Sequence, residues 1–159
     1  MEYQIRRGTI NDLDDIVDLW QKLSYDQLSK DEYYEGEMVF EGGKSQFERA
    51  LRDSNCAIFV GLLDGNIVGF SEVWLHNKDF HFFIDDYGYI LHFYIDVQAR
   101  KDERTLGLIF KLYGACEDWA VSKGKKYLVA DFFEHNRRLM KGIEKLRMKC
   151  YRRRYVKKL

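Results

Sequence analysis

Apolar and polar residues change period several times along the chain, and the changes mark its elements. Tyr3-Gln4-Ile5-Arg6-Arg7 alternates and predicts a short first strand. Thr9, with Asp12 three residues on, predicts the start of a helix with apolar Leu13, Ile16, Val17, Trp20 and Leu23. The stretch from Ser24 to Gly43 is polar, acidic and rich in tyrosine, which predicts a helix-loop excursion, and Ser45–Arg52 predicts a second short helix. Two β runs follow, Cys56–Leu63 and Asn66–His76. Asp64-Gly65 between them is a two-residue hairpin signal, because both turn positions need positive φ.

Asp79–Gly88 predicts a loop, and Tyr89–Val97 a third β run with Leu91, Phe93, Ile95 and Val97 on one side. From Gly107 to Ser122 the period is helical, with Leu108, Leu112, Ala115 and Trp119 on one face. Lys126–Phe132 predicts a strand, and Asn136–Arg147 a helix with Leu139, Ile143 and Leu146 inward. Cys150–Val156 predicts a final strand. The order β-αα-ββ-β-α-β-α-β places antiparallel hairpins first and a βαβ crossover later. The expected class is α/β (α+β), with a mixed, mostly antiparallel central sheet flanked by helices.

Composition narrows this picture. The chain has 159 residues and no proline, where average usage would supply about 8. Polyproline segments and a cis-proline turn are therefore excluded. With 11 Phe, 11 Tyr and 3 Trp the chain can fill one core, so residues 1–159 are expected to form a single domain. Three cysteines at no metal-ligand spacing point away from a disulfide framework and from a metal site, toward a reducing, cytoplasmic location. No apolar run is long enough to span a bilayer.

The formal net charge of zero hides a division: Asn136–Leu159 carries 11 basic residues and one acid, Glu144. The rest of the chain is correspondingly acidic. Such asymmetry fits a nucleic-acid tail, an anionic-ligand site or a solvated face. A second charge feature lies at the strand–loop–helix from Tyr89 to Ser122. The helix start has unpaired N–H groups that favour an anion, and Arg100, Lys101 and Arg104 precede it.

Together these segments resemble the GNAT superfamily of N-acetyltransferases, as a divergent member. Its signature is a strand ending in valine and then Q/R-x-x-G-x-G/A opening a helix. Arg104-Thr105-Leu106-Gly107-Leu108-Ile109 resembles it in part, with Trp119-Ala120 farther along the helix. The later pattern N-x-x-A-x-x-x-Y-E-K-L-G-F is similar in spacing to Asn136 through Met148, and Glu144-Lys145-Leu146 retains its centre. The chain departs at Thr105 and Ile109, where glycines favour close backbone approach, and at Ile143, where the family tyrosine protonates the leaving thiolate.

The resemblance implies transfer of an acetyl group from acetyl-CoA to a primary amine of a small molecule or peptide. It implies acetyl-CoA contacts at Ile95 or Val97, at Ala99, at Arg104, Thr105, Leu106, Gly107, Leu108 and Ile109, and at Asn136. Arg137, Arg138 and Lys141 fall near the same end. The amine must lose a proton before it attacks, and Glu72 and His92 are the candidate bases on the strands facing the implied cleft. Asp26, Asp31, Glu32, Glu35, Glu37, Glu41, Asp85 and Asp86, with Tyr25, Tyr33 and Tyr34, would attract a cationic amine. Ile109 and Ile143 favour an alternative, a catalytically weakened acyl-CoA-binding or protein-interaction member. Nucleic acid is the least favoured partner, a membrane is not expected, and a homodimer is a further expected partner state. For Arg152, Arg153, Arg154, Lys157 and Lys158 the favoured role is to keep an edge strand from pairing with another molecule.

Overall fold

The computed structural model describes residues 3–34, 43–75 and 86–158. Five strands, β1 (Tyr3–Arg7), β2 (Cys56–Leu63), β3 (Asn66–Trp74), β4 (Tyr87–Ile95) and β5 (Tyr127–Ala130), form one sheet in the order β1-β2-β3-β4-β5. The first three pairings are antiparallel and β4–β5 is parallel. Among the described residues four helices accompany them: α1 (Leu13–Leu28), α2 (Gly43–Arg52), α3 (Thr105–Ser122) and α4 (Arg137–Lys145). The mixed, mostly antiparallel sheet is thus the expected one, with α3 as the right-sized crossover between the parallel strands.

Alternation along β2 explains why helices cover both faces. Cys56, Ile58, Val60 and Leu62 pack with Leu13, Ile16 and Trp20 of α1 and Phe47 of α2. Ala57, Val73 and Ile90 pack instead with Tyr113, Cys116 and Trp119 of α3. A strand apolar at every position can be buried only in this way. The Asp64-Gly65 turn has φ of 49° and 83°, the double left-handed geometry its residues predict. Ahead of α1, a single 3-10 turn (Ile10–Asp12) follows Thr9. The Asp12 carboxylate accepts hydrogen bonds from the Thr9 N–H (2.8 Å) and from both terminal nitrogens of Arg6 (2.7 Å each). Arg6 thereby holds the Asp12 carboxyl at about 2, below its ordinary range.

Two sequence expectations need correction. The third β run begins and ends two residues early, at Tyr87 and Ile95, so Val97 lies outside it and is exposed. The chain turns after Ile95, where Asp96 donates its N–H to Val68 at 2.8 Å and a 3-10 turn (Ala99–Lys101) follows. Residues 150–156 form no strand and are exposed. The cause is legible in Cys-Tyr-Arg-Arg-Arg-Tyr-Val: three consecutive arginines put charge on both faces, leaving neither to pack on a core. The edge-protecting role expected of Arg152, Arg153, Arg154, Lys157 and Lys158 falls with that strand.

Candidate active site

Strands β4 and β5 pair over only four positions, ending at Ile90–Ala130. Beyond them β4 runs on through Leu91–Ile95 without a β5 partner, which leaves a backbone edge open among the described residues. Asp96 points its N–H at β3, so alternation turns the N–H and C=O groups of Phe93 and Ile95 to the open side. The Ile95 carbonyl there accepts a bond from Arg100 Nε at 2.8 Å.

A bulge sets which side chains stand beside this edge. Glu72 pairs with His92 but Val73 pairs with Ile90, so Leu91 is an extra residue in β4. Ile90 packs on the α3 side, whereas His92 lies near Phe47 and Phe70 on the α1–α2 side, at 5.9 and 6.2 Å between ring centres. Glu72 is fully buried. Its Oε2 is 2.6 Å from His92 Nδ1, and its Oε1 accepts a bond from Trp74 Nε1, also at 2.6 Å. A carboxylate only accepts, so Nδ1 carries the hydrogen of this bond. The two candidate bases are therefore one hydrogen-bonded unit. Trp74 is the member that sequence reading missed.

Two further contacts flank the opening. Tyr89 donates its hydroxyl to Asp131, just after β5, at 2.9 Å. Tyr34, after α1, meets Phe133 edge-on at 6.4 Å, and Phe133 stacks on His135. The segment after α1 and the segment after β5 thus approach each other.

The residues expected to hold acetyl-CoA cluster at the end of β4 and the start of α3, with one exception. Ile95 and Leu108 are buried together, and Ile109 packs against them. Ala99 accepts the hydroxyl of the buried Thr105, so that hydroxyl is spent inside the protein. Leu106 is exposed, and with Gly107 it lies in the first helical turn, whose N–H groups lack intrahelical acceptors. A Cβ at Gly107 would come within 2.6 Å of the Tyr3 hydroxyl, so glycine here lets β1 approach α3. Arg104 turns to the β2–β3 turn, bonding both oxygens of Asp64 at 3.0 Å and also Asp102. Asn136, the exception, immediately precedes α4 and donates its N–H to Phe133 at 2.9 Å. The open β4 edge, the first turn of α3 and exposed Arg100 and Lys101 fit an extended, anionic ligand such as acetyl-CoA.

The expected acidic wall is only partly in view. Asp26 pairs with Lys30 (2.6 Å), Asp86 with Lys126 (3.6 Å), and Asp31 accepts the Tyr33 N–H (2.9 Å). Glu32 is exposed, as are Tyr25 and Tyr33. Glu35, Glu37, Glu41 and Asp85 lie outside the described residues, as do the side chains of Arg137, Arg138 and Leu139. Lys141 is exposed and Ile143 half-buried. No helix among the described residues is long and apolar enough to cross a membrane.

Comparison with known proteins adds independent findings. The model of the acetyltransferase (GNAT) family matches residues 13–146. Among solved structures, the chain is similar to a tetramutant of the BH1408 protein from Bacillus halodurans, with TM-score 0.81 and 16% identity, covering 98% of this chain and 99% of that one. It is also similar to AAC(6')-Iy in complex with a bisubstrate analog, with TM-score 0.74 and 17% identity, covering 100% and 99%. A third similar structure is an aminoglycoside acetyltransferase from an uncultured soil metagenomic sample, with TM-score 0.67 and 16% identity, covering 99% and 96%. Among curated proteins none matches.

Proposed function

The chain belongs to the acetyltransferase (GNAT) family, and from that premise we propose that it transfers an acetyl group from acetyl-CoA to a primary amine of a cationic small molecule or peptide. The observation that carries this reading is the Glu72–His92 pair beside the open edge of β4. Acetyl-CoA, when bound, supplies a thioester-activated acetyl group. Phe93 and Ile95 bind its extended arm with their outward backbone groups, and the N–H groups of Leu106 and Gly107 with Arg100 and Lys101 hold its phosphates. His92 Nε2 takes the proton of the incoming ammonium group, while Glu72 keeps Nδ1 protonated and steadies the imidazolium that forms. Leu91, without a β3 partner in the bulge, offers its N–H to the oxyanion.

The aminoglycoside acetyltransferases among the similar structures support a multiply charged amine as acceptor. Ile143, in place of the family tyrosine, favours a second reading in which the chain binds acyl-CoA without transfer. Thermal unfolding tests the shared first step. Acetyl-CoA at a hundredfold over Kd stabilises by about 2.7 kcal/mol, which raises Tm by roughly 5–11 °C for a domain of this size. No shift at millimolar acetyl-CoA contradicts both readings.

A further inference from the structure

Among the described residues β1 is an outer strand, at the opposite end of the sheet from the β4–β5 split. Gly8 gives its N–H to Ile58 of β2 at 2.8 Å, so alternation turns the backbone groups of Gln4 and Arg6 toward β2 and those of Tyr3, Ile5 and Arg7 outward. Charged side chains reaching across such an edge commonly blunt it. Here both arginines are tied back. Arg6 bonds Asp12 on the α1 side, and its Nη1 also reaches the Arg7 carbonyl at 3.3 Å, which keeps its second lone pair. Arg7 donates to the Cys56 carbonyl at 2.7 Å and lies over the rings of Phe59 and Trp119, on the α3 side. Helix α3 runs beside the strand: Lys111 Nζ is 4.8 Å from the centre of the Tyr3 ring, and Arg7 Cζ 5.7 Å from that of Trp119. Ile5 therefore falls level with Gly114 and Ala115. A groove of about 520 Å³ opens there between strand and helix, lined by Ile5, Gly114, Ala115, Lys111 and Asp118 among others. A Cβ on Gly114 would meet nothing within 4 Å. Lys111 and Asp118 are exposed, and among the described residues neither has an ion-pair partner in its own chain.

We propose that a second copy of this chain occupies this edge, with β1 antiparallel to β1 about a two-fold axis at Ile5. Ile5 exchanges backbone bonds with Ile5 of the second copy, and on either side Tyr3 of one copy exchanges them with Arg7 of the other. Arg6 meets Gln4 of the second copy rather than another arginine. The same axis runs past Gly114 and Ala115, midway between Lys111 and Asp118, so it sets each Lys111 opposite Asp118 of the other copy. Because α3 lies over β2, strands about 4.8 Å apart place the two helices roughly 14 Å apart, a gap that these two side chains close across the small residues between them. Strand and helix thus specify one axis independently, and the face is complementary to itself, as a closed two-fold dimer requires. The β4–β5 split of each copy stays at the far end of its sheet, so the inference stands apart from the transfer reading.

Sedimentation equilibrium of the full chain and of charge variants tests this. Wild type should be dimeric. Lys111→Glu and Asp118→Lys should each weaken self-association at least about tenfold, because either change sets two like-charged pairs across the axis. An equimolar mixture of the two variants should dimerise as wild type does, since each supplies the charge the other lacks. The double variant Lys111→Glu/Asp118→Lys should do the same. Recovery on mixing is a result that misfolded variants would not give. A wild type that stays monomeric up to millimolar chain concentration overturns the inference. So do single variants that associate as tightly as wild type, and single variants that separate but do not recover on mixing.

Discussion

Replacing Glu72 with glutamine separates the chemistry of the Glu72–His92 pair from its packing. Glu72 has no exposed surface, and its two oxygens accept from Trp74 Nε1 and His92 Nδ1, both at 2.6 Å. In Glu72→Gln the amide oxygen keeps the Trp74 bond, so the amide nitrogen must face Nδ1 and donate to it. The imidazole then carries its hydrogen on Nε2, the atom that has to accept the amine proton. Loss of a general base costs about 10²–10⁴-fold in kcat, and this variant should fall in that range. Its stability should change by less than about 2 kcal/mol, because both hydrogen bonds survive and the lost charge assistance is offset by cheaper burial of a neutral amide. Glu72→Leu strands two half-buried donors at about 1–3 kcal/mol each and should cost about 2–6 kcal/mol. Amine-dependent thiol release gives the first number and thermal unfolding the second. A Glu72→Gln protein that unfolds near the wild-type temperature and keeps kcat within about threefold, against the 10²-fold loss of a working base, refutes the tautomer reasoning.

Three other outcomes follow from the frame around the site. Asp12, held at about 2 by Arg6, contributes stability that is complete above its ordinary value of 3.8 and is lost as pH falls toward 2. The contribution is about 1–2 kcal/mol, allowing for the partly exposed partner. Urea midpoints of wild type and Asp12→Asn should converge across that window, and parallel curves would count against the ion pair. Removal of residues 152–159, of which 152–158 are exposed and outside the sheet, should shift Tm by the equivalent of no more than about 0.5 kcal/mol; a larger loss would mean that they pair as a strand. Gly69→Ala would set a Cβ 2.8 Å from the Tyr94 carbonyl and against Ile95. It should cost about 1–3 kcal/mol by overpacking and weaken acetyl-CoA binding by displacing the end of β4, readable as a smaller ligand-induced Tm shift.

Local patterns made most of the frame readable. The Asp64-Gly65 turn, the amphipathic face of α1 and the helical period of α3 are all written within a few residues. What escaped depends on pairing. Leu91, Phe93, Ile95 and Val97 look like one face of a strand, yet only Phe93 and Ile95 share the α3 side, because Leu91 is bulged and Val97 lies past the end. No residue type announces that bulge, so the side of the sheet on which His92 lies was hidden. Glu72 and His92 stood out singly as titratable groups on strands, whereas their contact depends on the β3–β4 register. Arg104 stood out as a cation ahead of a helix, but Asp64, 40 residues away in sequence, claims its guanidinium.

Amine-dependent thiol release from acetyl-CoA by the wild-type protein tests the central claim most directly. With a panel of polyamines, amino sugars and lysine-bearing peptides, at least one cationic amine should give saturable release that His92→Ala lowers about 10²–10⁴-fold in kcat. Release with no amine above the rate in water, from a protein that acetyl-CoA stabilises, would contradict transfer and leave a chain that only binds its acyl carrier.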